Sequence, residues 1–258
     1  MSTRFYLEFA KTGLVRYTSH LDLLRLFKRA FKRTEVPIAY SQGFNPHPRM
    51  SFAQPLSLGY TAAHEYLEFQ TDREIAPEEI LRRMRSAMPM GLTLLSCRPL
   101  EIGSRTLASL VTAAEFTITL PVAARDVRLD DFRKLCDDYL AQPAIIASKR
   151  QKKTKKYADQ DIRPQIRDLK PAWEPDEIGG MDLAGNGNVC LRLLCDQGSA
   201  SNLNPDLVVQ TLLPFGGALT AFPREEIEIC REKLFLEAGT PALPGLYIEP
   251  VPKADEKA

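Results

Sequence analysis

Two stretches, RFYLEFA at 4–10 and HEYLEFQ at 64–70, alternate apolar and polar residues with period two. Between them, residues 19–33 carry apolar side chains with period 3.6. The first pattern sends side chains to opposite faces of a strand, and the second gathers them on one side of a helix. A second helical pattern, APEEILRRMRSAM at 76–88, opens on Pro77 and two glutamates, as helix starts do, and the strand-like GLTLLSCRPL follows at 91–100. With PIAY at 37–40 as a short strand, the order is β-α-β-β-α-β.

The second half repeats that order without obvious identity. AEFTITLP at 114–121 reads as a strand and LDDFRKLCDDYLA at 129–141 as a helix. AIIASKR and DIRPQIRDLK are extended segments around a basic loop. NVCLRLLCD is a strand, NPDLVVQTLL a helix capped by Asn202 or Asn204, and EIEICREKLFLE a last strand. The expected fold class is α+β, with two tandem ferredoxin-like (βαββαβ) domains at 1–105 and 106–240 and a frayed tail at 241–258, ending PVPKADEKA. A chain of 258 residues is long enough for two such cores.

The helix at 19–33 sorts its residues sharply. Leu23, Leu24, Leu26, Phe27, Ala30 and Phe31 fall on one arc, and Arg25, Lys28, Arg29, Lys32 and Arg33 on the other, with Leu21 among the charges. A solvated face normally intersperses acids with bases at i, i+4, yet only Asp22 does so here. Five like charges on one face suit a polyanion; a plain surface face is the other reading. Ser19 followed by Asp22 is a capping pattern, and His20 lands on the apolar side.

Next comes SQGFNPHP at 41–48. Gly43 permits a turn of positive φ, while Pro46 and Pro48 stiffen the chain around His47. Phe44 is placed to stack on a base, with Gln42, Asn45 and His47 offering hydrogen bonds; alternatively Phe44 plugs the edge of the core. Were His20 and His47 to meet, they would be candidates for general acid–base chemistry on a 2′-hydroxyl. Further along, KRQKKTKK adds Lys149, Arg150, Lys152, Lys153, Lys155 and Lys156, a loop fit to touch phosphates or merely a solvated hairpin tip.

Charge is unevenly spread: residues 1–110 hold 15 Lys/Arg against 10 Asp/Glu, and residues 181–258 hold 6 against 11. The five cysteines, Cys97, Cys136, Cys190, Cys195 and Cys230, include no CxxC pair, so they read as small buried hydrophobes in a reducing compartment. No metal and no cofactor of the chain's own are expected. The absence of an apolar run near ~18 residues, and of a signal-like start in MSTRFYLEF, leads to the expectation of a cytoplasmic protein with no membrane partner.

These residues also carry a likeness. Lys11, Gly13 and Arg16, the run Ser19-His20-Leu21-Asp22, Arg25, Arg29 and Ala30, Pro37, Ser41 through Pro48, and Glu65-Tyr66 together resemble the radical-SAM-linked (radical-SAM-associated) protein family. The likeness continues more weakly through Asp161, Arg163 and Pro164. It implies a radical-SAM enzyme as partner, and genes that in part lie near RNA-processing ones. The iron–sulfur cluster would belong to that partner, since no cysteines here approach CxxxCxxC spacing.

The resulting expectation is an RNA-binding accessory protein that presents a structured RNA, tRNA or rRNA, to a radical-SAM modification enzyme, with Arg16 and the cations above on phosphates. Alternatives are a metal-independent RNA-processing nuclease using His20 and His47, or a structural subunit that touches no RNA.

Overall fold

A computed structural model describes residues 3–121, 129–150, 156–172 and 188–248; the PVPKADEKA tail and Lys152, Lys153 and Lys155 lie outside the described residues. Strand β1 (Thr3–Lys11) passes through a 3-10 turn at Gly13–Tyr17 into helix α1 (His20–Arg33). There follow β2 (Met50–Phe52), β3 (Thr61–Thr71), α2 (Pro77–Arg85), β4 (Leu92–Pro99) and a single turn, α3 (Leu107–Leu110). Then come β5 (Val111–Leu120), α4 (Leu129–Leu140), β6 (Ile146–Arg150), β7 (Tyr157–Asp161), β8 (Ile166–Pro171) and β9 (Val189–Asp196). The described chain closes with α5 (Pro205–Gly216), β10 (Glu228–Leu236) and β11 (Tyr247–Ile248). The fold is α+β, with a large, mostly antiparallel sheet and few helices.

Contacts divide the chain into two units, Met1–Ala113 with Arg231–Ala258, and Ala114–Cys230. The first unit therefore takes back residues 231–240, which sequence alone put in the second half. Periodicity locates strands but carries no information about which strand a late segment will join.

In the first unit β1 pairs antiparallel with β3 and β4, and β2 pairs antiparallel with β3. The alternation of β1 sends Phe5, Leu7 and Phe9 to one face, where they pack with Leu23, Phe27 and Phe31 of α1 and with Ile80 and Met84 of α2. This is the arc that the 3.6 period marks out. The opposite face is buried as well, although its residues are polar: Tyr6, Glu8, Tyr66 and Glu68 are all buried. Each has a partner, as buried polar groups require. Tyr6 donates to the Pro244 carbonyl at 3.0 Å, Tyr66 donates to the Gly245 carbonyl, Ser96 donates to Glu8 at 2.7 Å and the Leu107 amide donates to Glu68 at 2.8 Å.

PIAY does not form a strand. Ile38 and Tyr40 make only isolated bridges, to Thr71 and Pro48. Pro37 and Pro48 have no N–H to donate, so a continuous ladder cannot build there. The strand that does pair beside β3 is β2, ten residues later.

In the second unit β5, β9 and β8 neighbour one another in that order, with β6 and β7 as a separate two-stranded ribbon. Phe132, Cys136 and Tyr139 of α4 and Val208, Val209 and Leu212 of α5 are buried. Of the two possible caps, Asn204 is the one used, its side chain accepting the Asp206 amide at 3.2 Å.

Candidate nucleic-acid interface

Ser19 closes the start of α1: its hydroxyl accepts the Asp22 amide at 3.2 Å and donates to the Asp22 carboxylate at 2.7 Å. Hydrogen bonds from Ser19 and then Arg25 hold the Asp22 carboxyl below its usual range. With the apolar arc buried, the opposite side of the helix faces solvent, and Leu21, Arg25, Lys28, Arg29, Lys32 and Arg33 are all exposed. Arg25 pairs with Asp22 at 2.8 Å, and Arg33 donates to the Ala87 carbonyl at 2.8 Å. Lys28 and Lys32 have no side-chain partner among the described residues; Arg29 makes no side-chain hydrogen bond among them, but its charge acts on Asp22. These three cations stand on adjacent turns and repel by a few tenths of a kcal/mol per pair, and an anion bound there relieves that repulsion.

The SQGFNPHP segment is a closed loop. Tyr40 bridges Pro48, the Ser41 amide donates to the His47 carbonyl at 2.8 Å, and the His47 amide donates back to the Ser41 hydroxyl at 3.0 Å. Gly43 takes φ +122°, a value side chains resist, which lets the loop turn within this pinch. Gln42, Phe44, Asn45 and His47 all point to solvent. Phe44 does not plug the core; its ring is fully exposed. An aromatic side chain left bare at the tip of a pinned loop is a ready stacking surface.

His20 is held elsewhere. Its ring meets Phe52 edge-on, with centroids 5.2 Å apart, and burial pushes its pKa down from the ordinary value. His47 lies in the exposed loop upstream of β2 and is not among the residues that line the cleft beside His20. The cleft beside His20 is lined by Lys11, Thr18, Phe52 and Glu65 and holds about 10 Å³, room for one water. That space does not admit a nucleotide.

Beneath it lies a charged cluster that the sequence gives no means of finding. Arg231 donates to both oxygens of Glu65, at 2.7 and 2.5 Å, and to the carbonyls of Gln54 and Pro55 at 2.8 and 3.2 Å. The partners are 166 residues apart in the chain. Lys11 is buried next to them and donates to the carbonyls of Arg16 and Thr18, each at 3.2 Å. Loss of solvent lowers its pKa, with Glu65 acting in the opposite sense. Arg16 donates to the Gly59 carbonyl at 2.9 Å and lies 5.8 Å from the Tyr17 ring, so its side chain is engaged in holding the 55–60 loop. His64 sits on the other face, 2.8 Å from Glu8.

In the second unit, Lys149 and Arg150 end β6 and Lys156 precedes β7; all three are exposed. Among the described residues no group of three or more His, Cys, Asp or Glu is placed to hold a metal ion. Burial pushes the Cys97 and Cys136 thiols up to about 12, which leaves both protonated. Among the described residues no helix is long and apolar enough to cross a membrane.

The sequence profile of a family described as "Uncharacterized protein conserved in bacteria (DUF2344)" matches residues 4–205. The chain belongs to this family. No curated protein matches it. Among solved structures, it is similar to "an Unknown Protein from Galdieria sulphuraria" at 11% identity, with 90% of this chain and 98% of that one covered and a TM-score of 0.25. It is also similar to "DyPB from Rhodococcus jostii RHA1" at 13% identity, with 82% of each chain covered and a TM-score of 0.21. At such scores neither likeness bears on function.

Proposed function

We propose that the protein is an RNA-binding accessory subunit, cytoplasmic, that presents a structured RNA such as a tRNA or rRNA to a radical-SAM modification enzyme. The observation that carries the reading is the outer face of α1, where Lys28 and Lys32 stand exposed without a neutralising partner and Arg29 shares the single acid Asp22 with Arg25. In this reading Arg25, Lys28, Arg29 and Lys32 contact phosphates. Phe44 stacks on an unpaired base, and Gln42, Asn45 and His47 supply hydrogen bonds at its edge. The radical-SAM link rests on the family resemblance of the motif residues alone.

Each unit is read as ferredoxin-like: the antiparallel order β4-β1-β3-β2 with α1 and α2 in the first, and the neighbouring strands β5, β9 and β8 with α4 and α5 in the second, support this. For a protein partner, the first unit offers exposed Leu14, Tyr17, Leu21, Leu58 and Met90. These sit on segments tied by the Thr12–Gly91 and Gly59–Arg16 backbone hydrogen bonds, at 2.8 and 2.9 Å. Exposed apolar residues gathered in this way mark interaction surfaces.

The test is a comparison of modified nucleosides, by mass spectrometry, in tRNA and rRNA from cells with and without the gene. Loss of a modification that returns with the wild-type gene but not with an Arg25→Gln, Lys28→Gln, Arg29→Gln, Lys32→Gln variant is expected. An unchanged nucleoside spectrum would overturn the accessory role.

A further inference from the structure

The second unit contains a recess of about 310 Å³ between the end of α4, α5 and the ribbon strand β6. A space of this size lies at the lower end of those that hold small ligands. Its chemistry is unusual for a chain so rich in charge: none of its lining side chains carries one. The Tyr139 and Thr211 hydroxyls share a hydrogen bond at 2.6 Å, and burial pushes the phenol up to about 12, so both hydroxyls are neutral and engaged. Gln142 donates to the Tyr139 carbonyl at 3.0 Å, which leaves its side-chain oxygen as an acceptor. Gln210 and Ser148 also line the recess, and neither side chain has a partner among the described residues. Apolar surface comes from Ile145, Ile146 and Pro214.

What lies beside the recess narrows the ligand further. Ile146 and Ser148 share one side of β6, and the two-residue spacing continues that row to Arg150. In the ribbon's register Arg150 stands directly opposite Tyr157, and residues paired in this way point to the same face. A cation and an exposed aromatic ring therefore adjoin a neutral recess of amide and hydroxyl groups. Asp159 pairs with Ser148, so an anion is favoured only at the Arg150 end of the row.

We infer that this recess takes one uncharged nucleobase, with the attached phosphate at Arg150 and the adjacent base of a single strand against Tyr157. Gln142, Gln210 and Ser148 meet the edge of the base, and Ile145, Ile146 and Pro214 cover its apolar surface. The inference rests on the RNA-binding reading and names a second nucleotide position within it, on the other unit.

The experiment is a titration of the full chain, labelled at isoleucine δ1 methyls, with the four common ribonucleoside 5′-monophosphates and with ribose 5-phosphate. Saturable shifts of the Ile145 and Ile146 methyls are expected with at least one nucleotide and none with ribose 5-phosphate. Ser148→Phe and, independently, Gln210→Trp fill the recess and abolish the shifts; Gln210 is exposed on α5, so its variant tests the site even if the first misfolds. Arg150→Gln weakens nucleotide binding about three- to tenfold, the loss of one charge-assisted contact, and leaves free-nucleoside binding unchanged. Absence of saturable shifts with all four nucleotides, or equal shifts with ribose 5-phosphate, overturns the inference.

The two readings fail separately. RNA binding that depends on α1 while these methyls stay silent removes the recess and keeps the interface. Methyl shifts from nucleotides in a protein that binds no RNA remove the interface and leave the recess as a mononucleotide site.

Discussion

Glu65→Leu is the change that most sharply tests the interior of the first unit. Arg231 is 1% exposed and Glu65 3% exposed. Four hydrogen bonds hold the guanidinium, two of them to the carboxylate that the substitution deletes. What remains is a buried cation without its carboxylate, still donating to the Gln54 and Pro55 carbonyls, and Lys11 beside it loses the same counter-charge. Breaking a buried pair by removing one member costs about 3–5 kcal/mol, against a total stability of about 5–15 kcal/mol for a typical domain. The assay is urea unfolding followed by circular dichroism, with Arg231→Met and the double variant completing a cycle. Each single change is expected to lower the midpoint strongly, and the double change to recover most of the loss, because a matched apolar pair leaves no stranded charge. A cost below about 1 kcal/mol for Glu65→Leu would mean that the pair behaves as a surface ion pair, and would refute the reasoning.

Other consequences follow from single residues. Phe44→Ala should leave the unfolding midpoint unchanged, since the ring touches solvent only, and weaken binding of single-stranded RNA by about 1–3 kcal/mol in fluorescence anisotropy. His20 has a folded pKa below its unfolded value of about 6.5. The unfolded chain therefore binds the extra proton first, and stability falls as pH drops below about 6.5; His20→Leu should flatten that part of a stability–pH curve. Gly245 has φ +88°, and an added Cβ would meet Glu8 Oε1 at 3.0 Å and the Tyr66 hydroxyl at 3.2 Å. Gly245→Ala should destabilise the protein by about 1–3 kcal/mol, read as a lower thermal midpoint.

Local signals placed much of the first unit. The alternation of β1 and the 3.6 period of α1 identify Phe5, Leu7, Phe9, Leu23, Phe27 and Phe31 as core, because one face of each element must find apolar surface. The Ser19 cap is legible for a similar reason: it is satisfied within four residues. Period-two reading says nothing about what covers the second face of a strand. Tyr6, Tyr66 and Glu68 look like solvent positions, yet they are buried and bonded to Pro244, Gly245 and Leu107, more than a hundred residues away for the first two. The pairing of Arg231 with Glu65 is invisible for the same reason. The SQGFNPHP loop was visible as a Pro-stiffened turn, but its closure by Ser41 and His47, which leaves Phe44 in solvent, depends on hydrogen bonds that composition does not encode.

The central claim is that the outer face of α1 contacts phosphates. The most direct measurement is the slope of log affinity for pooled cellular RNA against log salt. It is taken for the wild-type chain and for the Arg25→Gln, Lys28→Gln, Arg29→Gln, Lys32→Gln variant. Each neutralised phosphate contributes about −0.7 for single strands, so four lost contacts should reduce the slope by about 3. Equal slopes for the two proteins, or no binding by the wild type at low salt, would contradict the account.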